Sequence, residues 1–230
     1  MRKGKAILFF LLISFSSAPA QQITARKILE NVKEQYDRIR DYTVTLDIKP
    51  DIERFTTKEM TLTLYYKQPN KVHIESKGFV MIPRQLFESN PAELLLKFDP
   101  TLLETKKEAG RILYILRLLS KPEQNRPAME NYVTIDGTRW VILEMRAVPA
   151  FGRSIDITFD YALVGNEYLL PSVMHASFNF GTNDDPTAKM KGFKGMPTKG
   201  TVEIRYSNYV VNSGLSDTLF EKEEKQKERR

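Results

Sequence analysis

The sequence contains no cysteine. That excludes a disulfide framework, a thiolate metal site and a thiol nucleophile. It equally excludes the acylated cysteine that tethers a bacterial lipoprotein to its membrane. Histidine is nearly absent, with His73 and His175 the only two. Each falls inside a predicted strand with no carboxylate–histidine pattern beside it, so neither reads as a ligand or a base. There is no Gly-x-Ser-x-Gly elbow and no glycine-rich phosphate loop between a strand and a helix. Asp184-Asp185 lacks the alternating oxygen ligands of a calcium loop. No pair of carboxylates stands out as general acid and base. The chain is therefore expected to be no enzyme and to hold no metal or cofactor.

Long apolar runs are scarce too. The one of note, Ala6 to Ile13, follows Arg2, Lys3 and Lys5 and precedes Ser16, Ser17 and Ala18-Pro19-Ala20. That order is the pattern of a secretory signal, here predicted to be cut after Ala20. A run of about 10 apolar residues is too short for a hydrocarbon core that needs about 20. Export without cysteine predicts a periplasmic protein beginning near Gln21. Charge of one sign is also in short supply. The formal charge of +6 falls to +3 once Arg2, Lys3 and Lys5 are removed. No basic patch with interleaved aromatics occurs, so no nucleic acid is expected as a partner. Residues 221–230 are a mixed charge run without apolar side chains, expected to be a solvated tail.

What remains, residues 21–220, reads as one mainly β domain. Thr24 is a candidate N-cap, and Ile28, Val32, Tyr36 and Ile39 share one face of a helix. The period then changes to two. Tyr42 to Ile48, Met60 to Tyr66, Val72 to Ile74, Tyr114 to Leu118, Ile155 to Leu163, Tyr168 to Phe178 and Val202 to Tyr206 all read as strands. Asp136-Gly137 joins Tyr132–Ile135 to Arg139–Met145 and predicts a tight type I′ hairpin. Two helix starts interrupt the strands, at Asn90-Pro91 and Asp99-Pro100, with Gly110 as the stop. The loop 181–200 carries four glycines and two prolines, and a stretch of that length without structure is often functional. The expected architecture is an incomplete, strongly curved antiparallel barrel of nine or ten strands. The N-terminal helix and two short lid helices over residues 91–108 lie on its apolar concave face.

Two stretches carry a family resemblance. The first is Leu62-Thr63-Leu64-Tyr65-Tyr66-Lys67-Gln68-Pro69-Asn70-Lys71-Val72-His73-Ile74-Glu75. The second is Tyr206-Ser207-Asn208-Tyr209-Val210-Val211-Asn212, continuing through Leu215 to Phe220. Together they resemble the strand–turn–strand block and closing segment of the bacterial outer-membrane lipoprotein carriers, the LolA-like superfamily. The resemblance implies a half-barrel whose apolar cavity holds acyl chains in transit between membranes. It implies an acylated lipoprotein or lipid as cargo, an inner-membrane release complex, an outer-membrane acceptor, and a monomer. The carriers often have arginine where Gln68 precedes Pro69. Gly78 to Arg84 stands where they usually carry an aspartate-glycine and aromatics. A sensing or interaction module of the same fold, working through its surface or loop 181–200, is the alternative.

On this reading the cavity and its lid are expected from Leu62, Leu64, Tyr66, Leu94, Leu95, Phe98, Leu102, Leu103, Leu116, Leu143, Ile157, Phe159 and Tyr161. Gln68 and Pro69 hold the family-motif position. An apolar container is the physical requirement for such cargo, because each exposed methylene costs about 0.8 kcal/mol in water.

Overall fold

A computed structural model describes residues 23–53, 58–76, 91–121, 129–148, 154–179 and 199–221, less the side chains of 91–93. The export signal over 1–20, the Asn90 helix start, the segment Gly78–Arg84, the Asp184-Asp185 pair, residues 181–198 of the long loop and the tail beyond 221 lie outside the described residues.

Helix α1, Ala25–Asp37, begins where the sequence places it. The Thr24 hydroxyl accepts the Lys27 amide at 3.2 Å and satisfies one of the orphan donors of the first turn. Ile28, Leu29 and Val32 on its apolar face are fully buried. No helix among the described residues is long and apolar enough to cross a membrane.

Among the described residues ten strands follow: β1 Asp41–Ile52, β2 Met60–Lys67, β3 Lys71–Ser76, β4 Phe98–Glu108, β5 Arg111–Ser120, β6 Glu130–Asp136, β7 Val141–Val148, β8 Ser154–Val164, β9 Tyr168–Asn179 and β10 Lys199–Val211. They form one antiparallel sheet in the order β3-β2-β1-β10-β9-β8-β7-β6-β5-β4. The outer strands β3 and β4 do not pair with each other, so the barrel is open. Its curvature follows from what shares a space. β2 and β7 lie five steps apart, roughly 24 Å in a flat sheet, yet both line a single cavity.

The second lid helix is replaced by a strand. Only α2, Pro91–Lys97, is helical, and residues 98–108 form edge strand β4. Gly110, read as a helix stop, instead ends a two-residue turn with Ala109. Both have positive φ (46° and 77°), and Glu108 pairs with Arg111 across it, the geometry of a type I′ hairpin. Pro100 tolerates this position because an edge strand leaves half its amides unpaired. Glu104, Lys106, Lys107 and Glu108 are exposed there, as charges on a protected sheet edge are. Pairing with β5 outweighed a helix-start signature.

The Asp136-Gly137 turn also differs from its expectation. Trp140, not Gly137, carries the positive φ (56°), and its amide donates to the Asp136 carbonyl at 2.7 Å, closing a longer loop. The fully buried Asp136 carboxylate explains it. Its oxygens accept the amides of Thr138 (2.9 Å) and Arg139 (3.2 Å) and the Arg139 Nε (2.8 Å). Burial alone would raise its pKa, but these donors hold it below the usual carboxylate range. Gly137 is needed for close approach: a Cβ there would sit 2.4 Å from the Tyr114 ring.

Candidate functional site

The interior divides into two apolar clusters. One is built by strands alone, with Leu46, Ile48, Leu64, Met174 and Ile204 at its centre. The other joins α1 to β4–β7, packing Ile28, Leu29 and Val32 against Leu116, Leu118, Val133 and Ile135. Met145 and Phe159 are half-buried and pack against both. Along this seam lies a cavity of about 60 Å³.

The lining is rich in tyrosine. Tyr36 from α1 meets Tyr42, Tyr66, Tyr161, Tyr206 and Tyr209 from the sheet, six of the ten tyrosines in the chain. Ile39, Leu64, Ile142, Met145, Phe159, Leu170 and Pro171 complete it, and no lining residue is charged. The rings order one another. Tyr42 stacks on Tyr66 with centroids 5.0 Å apart and meets Tyr209 edge-on at 5.7 Å; Tyr206 lies parallel to Tyr209 at 6.4 Å. Most hydroxyls are engaged. Tyr161 donates to the Ile142 carbonyl (2.7 Å), Tyr209 to the Pro171 carbonyl (2.8 Å) and Tyr66 to the Pro69 carbonyl (3.2 Å). Tyr206 reaches only the Met174 sulfur, at 3.8 Å. Burial pushes the Tyr36 phenol up to about 12, and carries Tyr42, Tyr161, Tyr206 and Tyr209 above their ordinary range. These five are neutral at working pH.

The expected site residues scatter across this arrangement. Leu64, Tyr66, Phe159 and Tyr161 line the cavity. Leu62 and Ile157 belong to the strand-only core, and Phe98 and Leu116 to the helix-covered core. Leu94, Leu95 and Leu102 are half-buried against the latter. Leu103 is 50% exposed on β4. Leu143 lies in neither cluster: the register jumps from Thr134–Glu144 to Ile135–Ile142, which leaves it as the extra residue of a β-bulge. None of the described side chains of residues 94–108 lines the cavity. The residues that sequence reasoning did not assign to it are Tyr36, Ile39, Tyr42, Ile142, Met145, Leu170, Pro171, Tyr206 and Tyr209. The available signal was the inward phase of tyrosines on both the helix and the strands.

The two stretches that carried the family resemblance meet at one end of the barrel. The Gln68 side-chain amide donates to the Tyr36 (3.1 Å) and Ile39 (2.8 Å) carbonyls, capping the end of α1 that reaches the cavity. Its backbone amide donates to the Arg40 carbonyl at 2.8 Å, and the Gln68–Pro69 peptide is cis. Lys67 donates to the Leu215 carbonyl (2.7 Å), and Asp217 bridges Lys67 (3.0 Å) and Lys71 (3.2 Å). Asn212, at φ 55°, accepts the Arg40 amide at 2.7 Å and donates to the Arg38 carbonyl and the Tyr168 hydroxyl. Asp41 accepts from Ser213 and Gly214. This end is hydrogen-bonded into one piece.

Elsewhere, His73 lies 3.6 Å from Glu75 and His175 3.6 Å from Glu203. No group of three potential metal ligands occurs among the described residues. A second, wider groove of about 710 Å³ runs along β6–β8, with Glu130, Tyr132, Thr134, Glu144, Arg146 and Asp156 on its walls.

An open antiparallel barrel with an N-terminal helix on its concave side is a known class of fold, and solved structures share it. A LolA superfamily protein from Nitrosomonas europaea superposes with a TM-score of 0.60 at 12% identity, covering 86% of this chain and 98% of its own. An outer membrane lipoprotein-sorting protein domain from Vibrio parahaemolyticus gives 0.61 at 14%, covering 87% and 98%. A DUF1329 family protein from Desulfovibrio piger gives 0.60 at 11%, covering 86% and 98%. No family model and no curated protein matches the sequence. The chain has the fold of the LolA superfamily.

Proposed function

We propose that this protein is a periplasmic carrier that holds the acyl chains of a lipoprotein or lipid inside the half-barrel for transfer toward the outer membrane. The observation that carries the reading is the divided interior. A cavity bounded by a helix and one sheet face, placed where the helix-covered core meets the strand-only core, can widen by a shift of α1 that loosens the first core and leaves the second intact. In its present form it is too small for cargo. A cavity of about 150 Å³ is what benzene requires, and this one has about 60 Å³. Loading therefore moves α1 relative to the sheet, and its methylenes replace contacts along the seam at about 0.8 kcal/mol each. The fold shared with a lipoprotein-sorting domain supports the same reading.

Native mass spectrometry of the protein purified from the exported fraction of its own cells tests it. A protein–lipid adduct that collisional activation removes is the expected result. Lipid-free protein that also fails to take up added acyl lipid would sink the proposal. The groove along β6–β8 favours a second reading, an interaction module that contacts another protein through its outer face. That reading predicts a captured protein and no bound lipid.

A further inference from the structure

The sheet is not continuous around the cavity. The ladder between β7 and β8 ends at the pair Glu144–Thr158, although β7 stays paired with β6 as far as Val141. The ladder between β9 and β10 ends at Val173–Arg205, although β10 stays paired with β1 as far as Val211. Between these two gaps the tip of the β8–β9 hairpin, residues 159–171, has ladder partners only within itself among the described residues. Both flanking ladders stop beside the same irregularity. The register jumps from Asp160–Val173 to Tyr161–Pro171, which leaves Ser172 as the extra residue of a β-bulge. The tip is a closed turn, with Gly165 and Asn166 at positive φ (60° and 57°) and the Glu167 amide donating to the Val164 carbonyl at 3.2 Å. The hairpin supplies Phe159, Tyr161, Leu170 and Pro171 to the cavity wall.

Side chains, not ladder bonds, close the two gaps. Tyr161 on the hairpin donates across the first to the Ile142 carbonyl of β7 (2.7 Å), and Tyr209 of β10 donates across the second to the Pro171 carbonyl (2.8 Å). At the tip, Arg38, the C-cap of α1, pairs with Glu167 at 3.3 Å and lies 5.8 Å over the Tyr168 ring. The Tyr168 hydroxyl accepts the Asn212 side-chain amide at 3.0 Å. We propose that residues 159–171 form a flap that swings as one body about the bulge at Ser172 and opens the tyrosine cavity at its side, with Tyr161 and Tyr209 as its two latches. A ribbon bonded within itself keeps its own ladder when it moves. Opening therefore breaks two phenol–carbonyl bonds and the contacts of the tip, but no strand pairing. Segments that detach without loss of a ladder belong to the low-stability end of a fold, from which lids over sites are drawn. The role of the flap, a way into and out of the cavity, rests on the carrier reading; its motion does not.

A chain without cysteine makes thiol access a clean reading of this motion. Leu170→Cys places a thiol on the cavity side of the flap, and Ile204→Cys places one in the strand-only core; both parent side chains are buried. Under native conditions a fluorescent maleimide is expected to react about tenfold faster with Leu170→Cys, at a rate almost independent of urea below the unfolding transition. The rate for Ile204→Cys should rise steeply with urea, as exposure through global unfolding requires. Removing both latches, Tyr161→Phe with Tyr209→Phe, should raise the Leu170→Cys rate about tenfold further, still with little dependence on urea. Glu167→Arg, an exposed change that sets like charges face to face at the tip, should raise it about threefold. Equal rates and equal urea slopes for the two thiols overturn the flap, since only global unfolding would then expose the cavity. So does a fast Leu170→Cys rate that neither the paired phenylalanines nor Glu167→Arg moves, which would assign the opening to α1. No lipid enters these measurements, so a flap that fails leaves the carrier reading to its own mass-spectrometric test.

Discussion

The two halves of the interior are filled by different means. Under α1, three helix side chains descend into the sheet, and the core joins elements that no backbone ladder connects. In the other half every contributor is a strand residue, and Leu46 lies on β1 between its partners β2 and β10. The first kind of core can loosen when one helix shifts. The second is held by hydrogen bonds on both sides of each central strand. In the proposed carrier the first kind would serve as the moving wall and the second as the frame. The tyrosine cavity lies where the two meet.

Equal truncations in the two halves give the sharpest test. Leu29 and Leu46 are both fully buried, so the transfer cost of losing the side chain is the same. What differs is how far the surroundings collapse, which spreads such substitutions over about 2.7–5.0 kcal/mol. Leu46→Ala, within a paired strand, is expected near the upper end, about 4–5 kcal/mol. Leu29→Ala should cost about 3 kcal/mol, because α1 can settle into the space. Urea denaturation measures both. A Leu29→Ala cost at or above that of Leu46→Ala would mean that α1 is part of the frame.

The seam itself has a pH signature. Burial raises five of its tyrosines, Tyr36 to about 12, whereas phenols in the unfolded chain ionise near pH 10. Above about pH 10 the unfolded state holds fewer protons than the native state, so stability falls as pH rises. It is lost through the window from the unfolded value toward the raised folded ones. Thermal melts from pH 8 to 11.5 should show Tm steady at first and then falling. Phenolate absorbance from the seam should appear together with unfolding. Absorbance from all the tyrosines well before unfolding would show that the seam is already wet.

Gln68, just after β2, joins the sheet to the end of α1. Its two side-chain bonds to the Tyr36 and Ile39 carbonyls are worth about 1–2 kcal/mol together. Gln68→Ala is expected to lower stability by that amount and to speed amide exchange over the last turn of α1, with β1 and β10 unaffected. Faster exchange spread over both halves would mean that the end of the barrel acts as one unit.

Much of this fold was legible in the sequence, and the reasons are local. Period-two alternation found the strands, because one face of an antiparallel sheet is buried. Thr24 marked the helix start, because a hydroxyl one residue ahead of the first turn satisfies an orphan amide. Residues 98–108 misled because Asp99-Pro100 is a good helix start taken alone, and β5 lies next to it only once the hairpin closes. The cavity was less legible. Leu62, Leu64, Tyr66, Ile157, Phe159 and Tyr161 share the buried face, but inward phase does not separate the centre of a core from the seam between two. Tyr42, Tyr206 and Tyr209 reach that seam through register across β1, β10 and β9, a relation between segments more than 160 residues apart at its widest.

The smallest effect comes from the edge strand. Had residues 99–110 formed a lid helix, Leu102 and Leu103 would both have faced the interior. In the sheet Leu103 is half exposed, with charged neighbours along β4. Leu103→Glu should therefore change stability by no more than about 0.5 kcal/mol and leave acyl-lipid binding unaltered. A larger loss, or weakened binding, would place this side chain against the interior and restore the lid to residues 91–108. Its half-buried neighbour Leu102 packs toward the helix-covered core, so Leu102→Glu serves as the contrast and should cost clearly more. The difference between adjacent leucines then reports whether this segment is a strand, with its faces alternating, or a helix, on which neighbours lie closer in phase.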